Sequence, residues 1–498
     1  MCEQADVVIV GAGFAGIGMG IQLKETGRHN FVILEKDDDL GGTWRDNTYP
    51  GCACDVPSSL YSFSFEQNPR WSRMFSPAEE IWDYLRHCVD KYELTSHLRY
   101  GAQVTGARFS TGGWDVDVNG ATAIHAQVLV SGAGALHLPK TPDLPGIESF
   151  EGVTFHSARW RHDHDLTDRA VAVIGTGASA VQFVPEIQPK VARLSLFQRT
   201  AAWVTPKPDR PIPVKEQRLY EKHPVTQRMV RHLIYWTMEA RGAGFVLTPK
   251  AMKFLEVSAQ RLLDRQVPDE ALRAKLTPSY QIGCKRILLS NDYYPTLSRD
   301  NVEVVTDAIA QVRPHSIVTT AGTEHDVDTI IFGTGFEVSA TVTHMNIVGR
   351  DGVWLRDVWS DRGIGAHLGM TVAGFPNFFL LLGPNTGLGH NSVIFMIESQ
   401  IRYVLQVLDL LDARGGAYVD VRPEAEADFL ARIQHRLADT VWASGCTSWY
   451  LDEHGRNFTI WPHFTWRYWL ATRWLRPAQY DIRPSCQGAA RSKVSTAP

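Results

Sequence analysis

The sequence predicts an α/β fold of two Rossmann-like dinucleotide-binding domains with a helical insertion, and three observations carry that prediction. A strand, a glycine turn and a helix stand near the N-terminus, and the same pattern returns past residue 170. A stretch rich in Leu, Met, Arg and Glu at helical spacing then interrupts the second unit from about Pro213 to Leu276. At 498 residues the chain is also too long for one ordinary core.

The first unit opens with VVIV from Val7 to Val10, continues through GAGFAG into an apolar-periodic stretch to about Thr26, and reaches the strand FVILE from Phe31 to Glu35. In this context the glycines acquire meaning. Gly11 permits the tight turn, Gly13 lets backbone approach a pyrophosphate, and Gly16 lets helix pack on strand. The phosphates belong at the helix N-terminus, where free N–H groups and the macrodipole favour anions. The second unit repeats this with VAVI from Val171 to Ile174, then GTGASA, a helix to about Ile187 and the strand LSLF from Leu194 to Phe197. Gly175 and Gly177 occupy the first two glycine positions, and Ala180 stands at the third, where a methyl group loosens the packing slightly.

Glu35 lies 35 − 11 = 24 residues after the first glycine of its unit, and Arg199 lies 199 − 175 = 24 after its counterpart. A carboxylate at that place accepts hydrogen bonds from two ribose hydroxyls and repels a 2′-phosphate, whereas an arginine pairs with that phosphate. The first unit therefore fits FAD and the second NADPH. The expected organisation is an FAD-binding domain over 1–140, a stiff linker around Pro139, Pro142 and Pro145, and an NADPH-binding domain beginning at 151–212. The helical insertion occupies 213–280, the NADPH-binding domain resumes over 281–337, and the FAD-binding domain is completed by 338–498. Strands are expected near VEVV and DTIIF, and again at NFFLLL. A long helix should run from about Ser392 to Ala413 and stop at Gly415 and Gly416.

Composition narrows the partners. A formal net charge of −4 gives no electrostatic case for nucleic acid, which needs clustered Lys and Arg. Seven scattered cysteines point to reduced thiols in a cytoplasmic compartment, with Cys52 and Cys54 as buried or loop thiols. Glu3 and Asp6 stand where a secretory leader would be basic, and no apolar run is long enough to span a bilayer. The HDHD run from His162 to Asp165 reads as a solvated turn, so no metal is expected. The tryptophan-rich segment from Trp442 to Trp474 is expected to pack beneath the first domain, with a membrane-interface belt as the alternative.

Several motifs in order complete the picture: GGTW from Gly41 to Trp44, YPGCACD from Tyr49 to Asp55, FEGVTFHSARW from Phe150, GCKR from Gly283 to Arg286, DYY at Asp292, FGTGF at Phe332 and SWY at Ser448. Together they resemble the type I Baeyer-Villiger monooxygenases, whose fingerprint F-x-G-x-x-x-H-x-x-x-W is matched through Phe150, Gly152, His156 and Trp160. The sequence departs from the family at Arg161, where Pro or Asp is usual. The resemblance implies a flavin monooxygenase that takes O2 and a small-molecule ketone to an ester or lactone through an anionic peroxyflavin.

Within that resemblance Arg286 is the expected catalytic cation and Asp55 the carboxylate that faces it. A guanidinium stabilises negative charge without giving up its proton. A charge pair about 4 Å apart at an effective dielectric near 20 is worth roughly 4 kcal/mol, about a thousandfold in rate. Lys285 and Thr200 are implied to join Arg199 at the NADPH 2′-phosphate, and Trp449 to lie near the nicotinamide ribose. Gly42, Thr43, Trp44, Tyr61, Val104 and Val393 are implied to touch FAD. His156 and Trp160 are read as organising the inter-domain linker. Two alternatives stay open: a flavin-containing monooxygenase acting on amine nitrogen or thioether sulfur, and a non-catalytic FAD-binding protein.

Overall fold

A computed structural model describes residues 3–110, 112–247, 252–338, 345–415 and 418–483. Strand β1 (Glu3–Val10) pairs in parallel with β2 (Phe31–Leu34) on one side and β3 (Ala121–Ser131) on the other. The last four residues of β1 and all of β2 are buried. Strands covered on both faces read as unbroken apolar runs, which is why VVIV and FVIL carry no polar position. Helix α1 (Phe14–Glu25), buried at nine of its twelve residues, covers this sheet. Residues 104–118 add an antiparallel hairpin to it, giving eight strands in all.

The second sheet is five-stranded. Strands β4 (Val153–His156), β5 (Ala170–Ile174), β6 (Arg193–Phe197), β7 (Val302–Val305) and β8 (Thr329–Phe332) lie in the order β7-β6-β5-β8-β4, and every adjacent pair is parallel. Helix α2 (Ala178–Ile187) crosses from β5 to β6, the right arrangement for a second mononucleotide unit. Between β6 and β7 the chain forms α3 (Val214–Lys222), α4 (Pro224–Val246), α5 (Met252–Gln266) and α6 (Glu270–Leu276). A three-stranded antiparallel meander over residues 309–326 precedes β8.

The chain then returns to the first sheet, where β9 (Phe378–Leu380) pairs in parallel with β3. Helix α7 (Val393–Ala413) is capped by Ser392, whose hydroxyl accepts from the Ile394 N–H at 3.3 Å. Gly415 follows its end at φ 67°, a left-handed conformation that favours glycine, and Gly416 lies outside the described residues. Helix α8 (Thr465–Thr472) packs beside α7. The tryptophan-rich segment does not all go inside: Trp442 and Trp461 are buried, but Trp449, in a turn before α8, and Trp474, just past its end, are exposed. No helix among the described residues is long and apolar enough to cross a membrane.

The two glycine turns differ at one position. Gly11 sits at φ 95° and Gly175 at φ 112°. A Cβ on Gly16 would lie 1.8 Å from the Gly11 carbonyl oxygen, so backbone fills that space. Ala180, fully buried, instead faces Gly333, where the space is left by the absence of a side chain. Gly333 of the FGTGF motif thus accommodates the methyl that Ala180 carries at the third glycine position of the second unit. We predict that Gly16→Ala lowers unfolding free energy by about 1–3 kcal/mol, read by denaturant titration, and that Gly333→Ala costs more than Ala180→Gly.

Candidate active site

The first nucleotide turn opens into a cleft of about 260 Å³. Gly11 and Gly13 line it from the turn, Glu35 from the end of β2, and Gly42, Thr43 and Trp44 from the GGTW loop. Tyr61, Val104 and Val393, the first residue of α7, complete the lining, while Gly16 is buried beneath. Gly13 caps α1 without a side-chain hydrogen bond, which leaves the first N–H groups facing the cleft for an anion. A Cβ built there meets nothing nearer than 4.0 Å among the described residues, so the space before the helix is open to a ligand.

Glu35 is buried, and its Oε2 accepts from the Ala12 N–H at 2.8 Å. Arg45 lies 3.3 Å from Oε1 and also pairs with Asp37 and Asp46. Sequence reasoning passed over Arg45, yet it neutralises three acids around the expected ribose site. The Trp44 indole N–H donates to the Tyr61 hydroxyl at 3.3 Å. These side chains, and the closely approached turn backbone, fit the adenosine, pyrophosphate and ring of FAD.

A second cavity of about 370 Å³ adjoins the first and shares Thr43, Trp44, Tyr61 and Val393 with it. Asp55, Arg286 and Trp449 line it, together with Ala178 and Ser179 from the first turn of α2. Arg286 donates to Asp55 Oδ2 from Nε at 3.0 Å and from Nη2 at 2.5 Å. Both bonds fall on one carboxylate oxygen, which leaves Nη1 outside the pair. The two side chains are 38% and 28% exposed, so they border the cavity rather than lie in the core. The Asp55 carboxylate raises the Arg286 pKa against the opposing effect of burial. Burial pushes the Cys54 thiol far up and the Tyr450 hydroxyl up to about 12, so both neighbours are uncharged near neutral pH.

The second nucleotide turn faces outward. Gly177 caps α2, again with no side-chain hydrogen bond. Arg199 follows the end of β6, and the Thr176 hydroxyl donates to the Thr200 carbonyl at 3.0 Å, tying the glycine turn to that strand end. The Lys285 pKa is lowered by burial and then by the charge of Arg199, so the two cations repel each other. Neither forms an ion pair with a carboxylate among the described residues. Two like charges held together oppose each other until an anion joins them, and a 2′-phosphate has the required charge.

Gln182 on α2 was not singled out by sequence and has no sequence signal, yet it joins the two units. Its side-chain carbonyl accepts from the Tyr49 hydroxyl at 2.9 Å, and its amide donates to the Ala53 carbonyl at 2.9 Å. His156 accepts from the Ala158 N–H at 3.1 Å, and burial pushes its pKa down to about 4. A neutral, bonded ring at the end of β4 is a structural group, and Trp160 packs at its side of the sheet on Phe155 and Phe183. Arg161 pairs with Asp163, and His162 and His164 bond to threonine hydroxyls at 2.8 and 3.0 Å.

The expectation of reduced cysteines is corrected by a disulfide between Cys284 and Cys446, whose Cα atoms lie 6.2 Å apart. Two single cysteines 162 residues apart give no pattern to read. The bond ties the loop carrying Lys285 and Arg286 to the segment carrying Trp449. Cys52, Cys54 and Cys88 are free thiols, and Cys2 and Cys486 lie outside the described residues.

Two adjoining clefts, the first ending on a carboxylate and the second bordered by the Arg286–Asp55 pair, together with a second glycine turn followed by Arg199, define a two-dinucleotide oxidoreductase. Residues 8–232 match the family described as pyridine nucleotide-disulphide oxidoreductase. The chain is 46% identical over 501 residues to a Baeyer-Villiger monooxygenase of Streptomyces coelicolor, covering 99% of this chain and 96% of that protein. It is 47% identical over 480 residues to a Baeyer-Villiger monooxygenase of Pseudomonas aeruginosa, covering 96% and 91%. A solved structure described as oxidized steroid monooxygenase bound to NADP superposes with a TM-score of 0.86 at 29% identity, over 97% of this chain and 100% of that one. The chain belongs to the Baeyer-Villiger monooxygenase family.

The disulfide closes a long loop, so its removal should cost about 2–4 kcal/mol of stability. Denaturant unfolding with and without dithiothreitol measures this, and Cys446→Ser should be equally unstable in both conditions.

Proposed function

We propose that this chain is an FAD- and NADPH-dependent monooxygenase that inserts one oxygen atom of O2 into a ketone to give an ester or lactone, with Arg286 as its catalytic cation. The observation that carries this reading is the Arg286 guanidinium, fixed by Asp55 on the wall of the cavity that adjoins the FAD cleft. When bound, FAD supplies the oxygen-activating chemistry and NADPH the reducing electrons.

The protein's own contribution is positional and electrostatic. Arg286, its pKa raised by Asp55, stays charged across the working pH range and stabilises negative charge without protonating it. Nη1, outside the pair with Asp55, is the N–H group available to the oxyanion that forms when the ketone carbonyl is attacked. Phe336, Leu388, Phe458 and Ile460 line the same cavity, and their apolar surface excludes water and strengthens each charge interaction there. The N-terminus of α7, beginning at Val393 on the cleft wall, would favour negative charge on a flavin ring bound there. With NADPH bound, Arg199, Thr200 and Lys285 would hold its 2′-phosphate, and Trp449, which borders the cavity, would meet the nicotinamide ribose.

Incubation with NADPH, O2 and linear, cyclic and aryl ketones should give products heavier by one oxygen atom. With Arg286→Ala, NADPH oxidation should continue while ester formation falls roughly a thousandfold, the reducing equivalents appearing as hydrogen peroxide. A normal ester yield from that variant contradicts the assignment.

Arg199→Ala and Lys285→Ala should each lower the preference for NADPH over NADH by about 10- to 100-fold, read as a ratio of KM values. Lys285 must be protonated to bind the phosphate. NADP+ affinity relative to NAD+ should therefore decline as pH rises through the lowered Lys285 pKa, and Lys285→Arg should remove that decline.

A further inference from the structure

Helix α4 differs from an ordinary surface helix in carrying an apolar stripe on its exposed side. Its buried positions include Gln227, Arg231 and Glu239, while Val225, Met229, Leu233 and Trp236 are 62%, 66%, 69% and 57% exposed. At 100° per residue those four fall within an arc of about 80°, so they form one apolar stripe. A surface helix normally turns such a stripe inward. Here the inward side is different: Ile234, Tyr235, Met238, Phe245 and Val246 pack on the core, and buried polar side chains bond beside them. Arg231 donates to the carbonyls of Ser59 and Ser62 at 2.8 and 3.0 Å, and Glu239 accepts from Asn391 at 2.6 Å and from the Thr465 hydroxyl at 2.7 Å. The core makes no use of the stripe, and neither cleft is lined by it.

The charge around the stripe has one sign. Arg228, His232 and Arg241 are exposed on the same helix, and its single carboxylate, Glu239, is buried. Helix α8 abuts α4 through the bond between Tyr235 and Thr465, 3.0 Å long, and continues the composition. Leu470 and Trp474 are exposed there, and the Arg467 and Arg473 guanidiniums lie over the rings of Trp466 and Trp474 at 5.4 and 4.9 Å. No acidic residue occurs from 458 to 480. In a chain of net charge −4, this concentration of cations is local.

We propose that the exposed faces of α4 and α8 form a docking surface for an anionic phospholipid bilayer, with the apolar stripe entering the acyl boundary and the arginines meeting headgroup phosphates. Tryptophan and snorkelling arginine around an apolar stripe are the side chains that suit that boundary. Charge decides against a second copy of this chain, since pairing the face with itself brings cation against cation. The inference is independent of the reaction proposed above and concerns the surface on which the enzyme rests.

The test uses full-length, FAD-loaded enzyme sedimented with phosphatidylcholine vesicles, with and without about 30 mol% phosphatidylglycerol. Binding is expected only to the anionic vesicles. It should weaken roughly tenfold or more on combining Met229→Ser, Leu233→Ser and Trp236→Ser, on combining Arg228→Glu with Arg241→Glu, and on raising salt to about 0.5 M. Turnover of a water-soluble ketone should stay unchanged in both variants, because none of these residues borders the clefts. The proposal is overturned by an absence of vesicle binding, by undiminished binding of the triple serine variant, or by a wild-type dimer that the serine substitutions split.

Discussion

The ion pair between Arg286 and Asp55 joins residues 231 apart in sequence, and the rest of the site is arranged around it. Asp55 comes from the loop after the first nucleotide unit, and Arg286 from the chain returning out of the helical segment into the second sheet. A partly exposed pair of this kind contributes only about 0–1 kcal/mol to stability. Its importance is therefore positional: it places a permanent cation in the cavity beside the FAD cleft and aligns it there. The charge is assembled only when the two units dock.

Other contacts enforce the same docking. Gln182 reaches from α2 to Tyr49 and Ala53 on the YPGCACD loop, so the first helix of the second unit is bonded directly to the segment that ends in Asp55. The Cys284–Cys446 disulfide acts on the other side, fixing the Arg286 loop to the segment of Trp449. Arg286 is thus held by a charge at its tip and by a covalent bond two residues away.

What was legible in the sequence follows from how local each signal is. The two nucleotide units could be read because their strands are buried on both faces and their glycines stand at fixed spacing. The comparison of Glu35 with Arg199 used the same geometry twice. The hairpin over 104–118 has a strand signal in the alternation of Trp114, Val116 and Val118 with Asp115 and Asp117, whereas the meander over 309–326 is built of strands only three to five residues long, too short to establish a period. Arg45, Gln182 and the disulfide depend on tertiary neighbours, which no spacing reveals. The exposed stripe of α4 was equally hidden: periodicity identifies a helix, but not which of its faces meets the core. Only the contacts of Arg231 and Glu239 establish that these charged side chains lie inside and the stripe outside.

The most direct test of the central claim is a crystal structure of the enzyme with FAD and NADP+ bound. The account predicts the Arg286 guanidinium within hydrogen-bonding distance of the reacting edge of the isoalloxazine or of the nicotinamide beside it, still paired with Asp55. A guanidinium turned to solvent, with Asp55 bonded elsewhere, would contradict it.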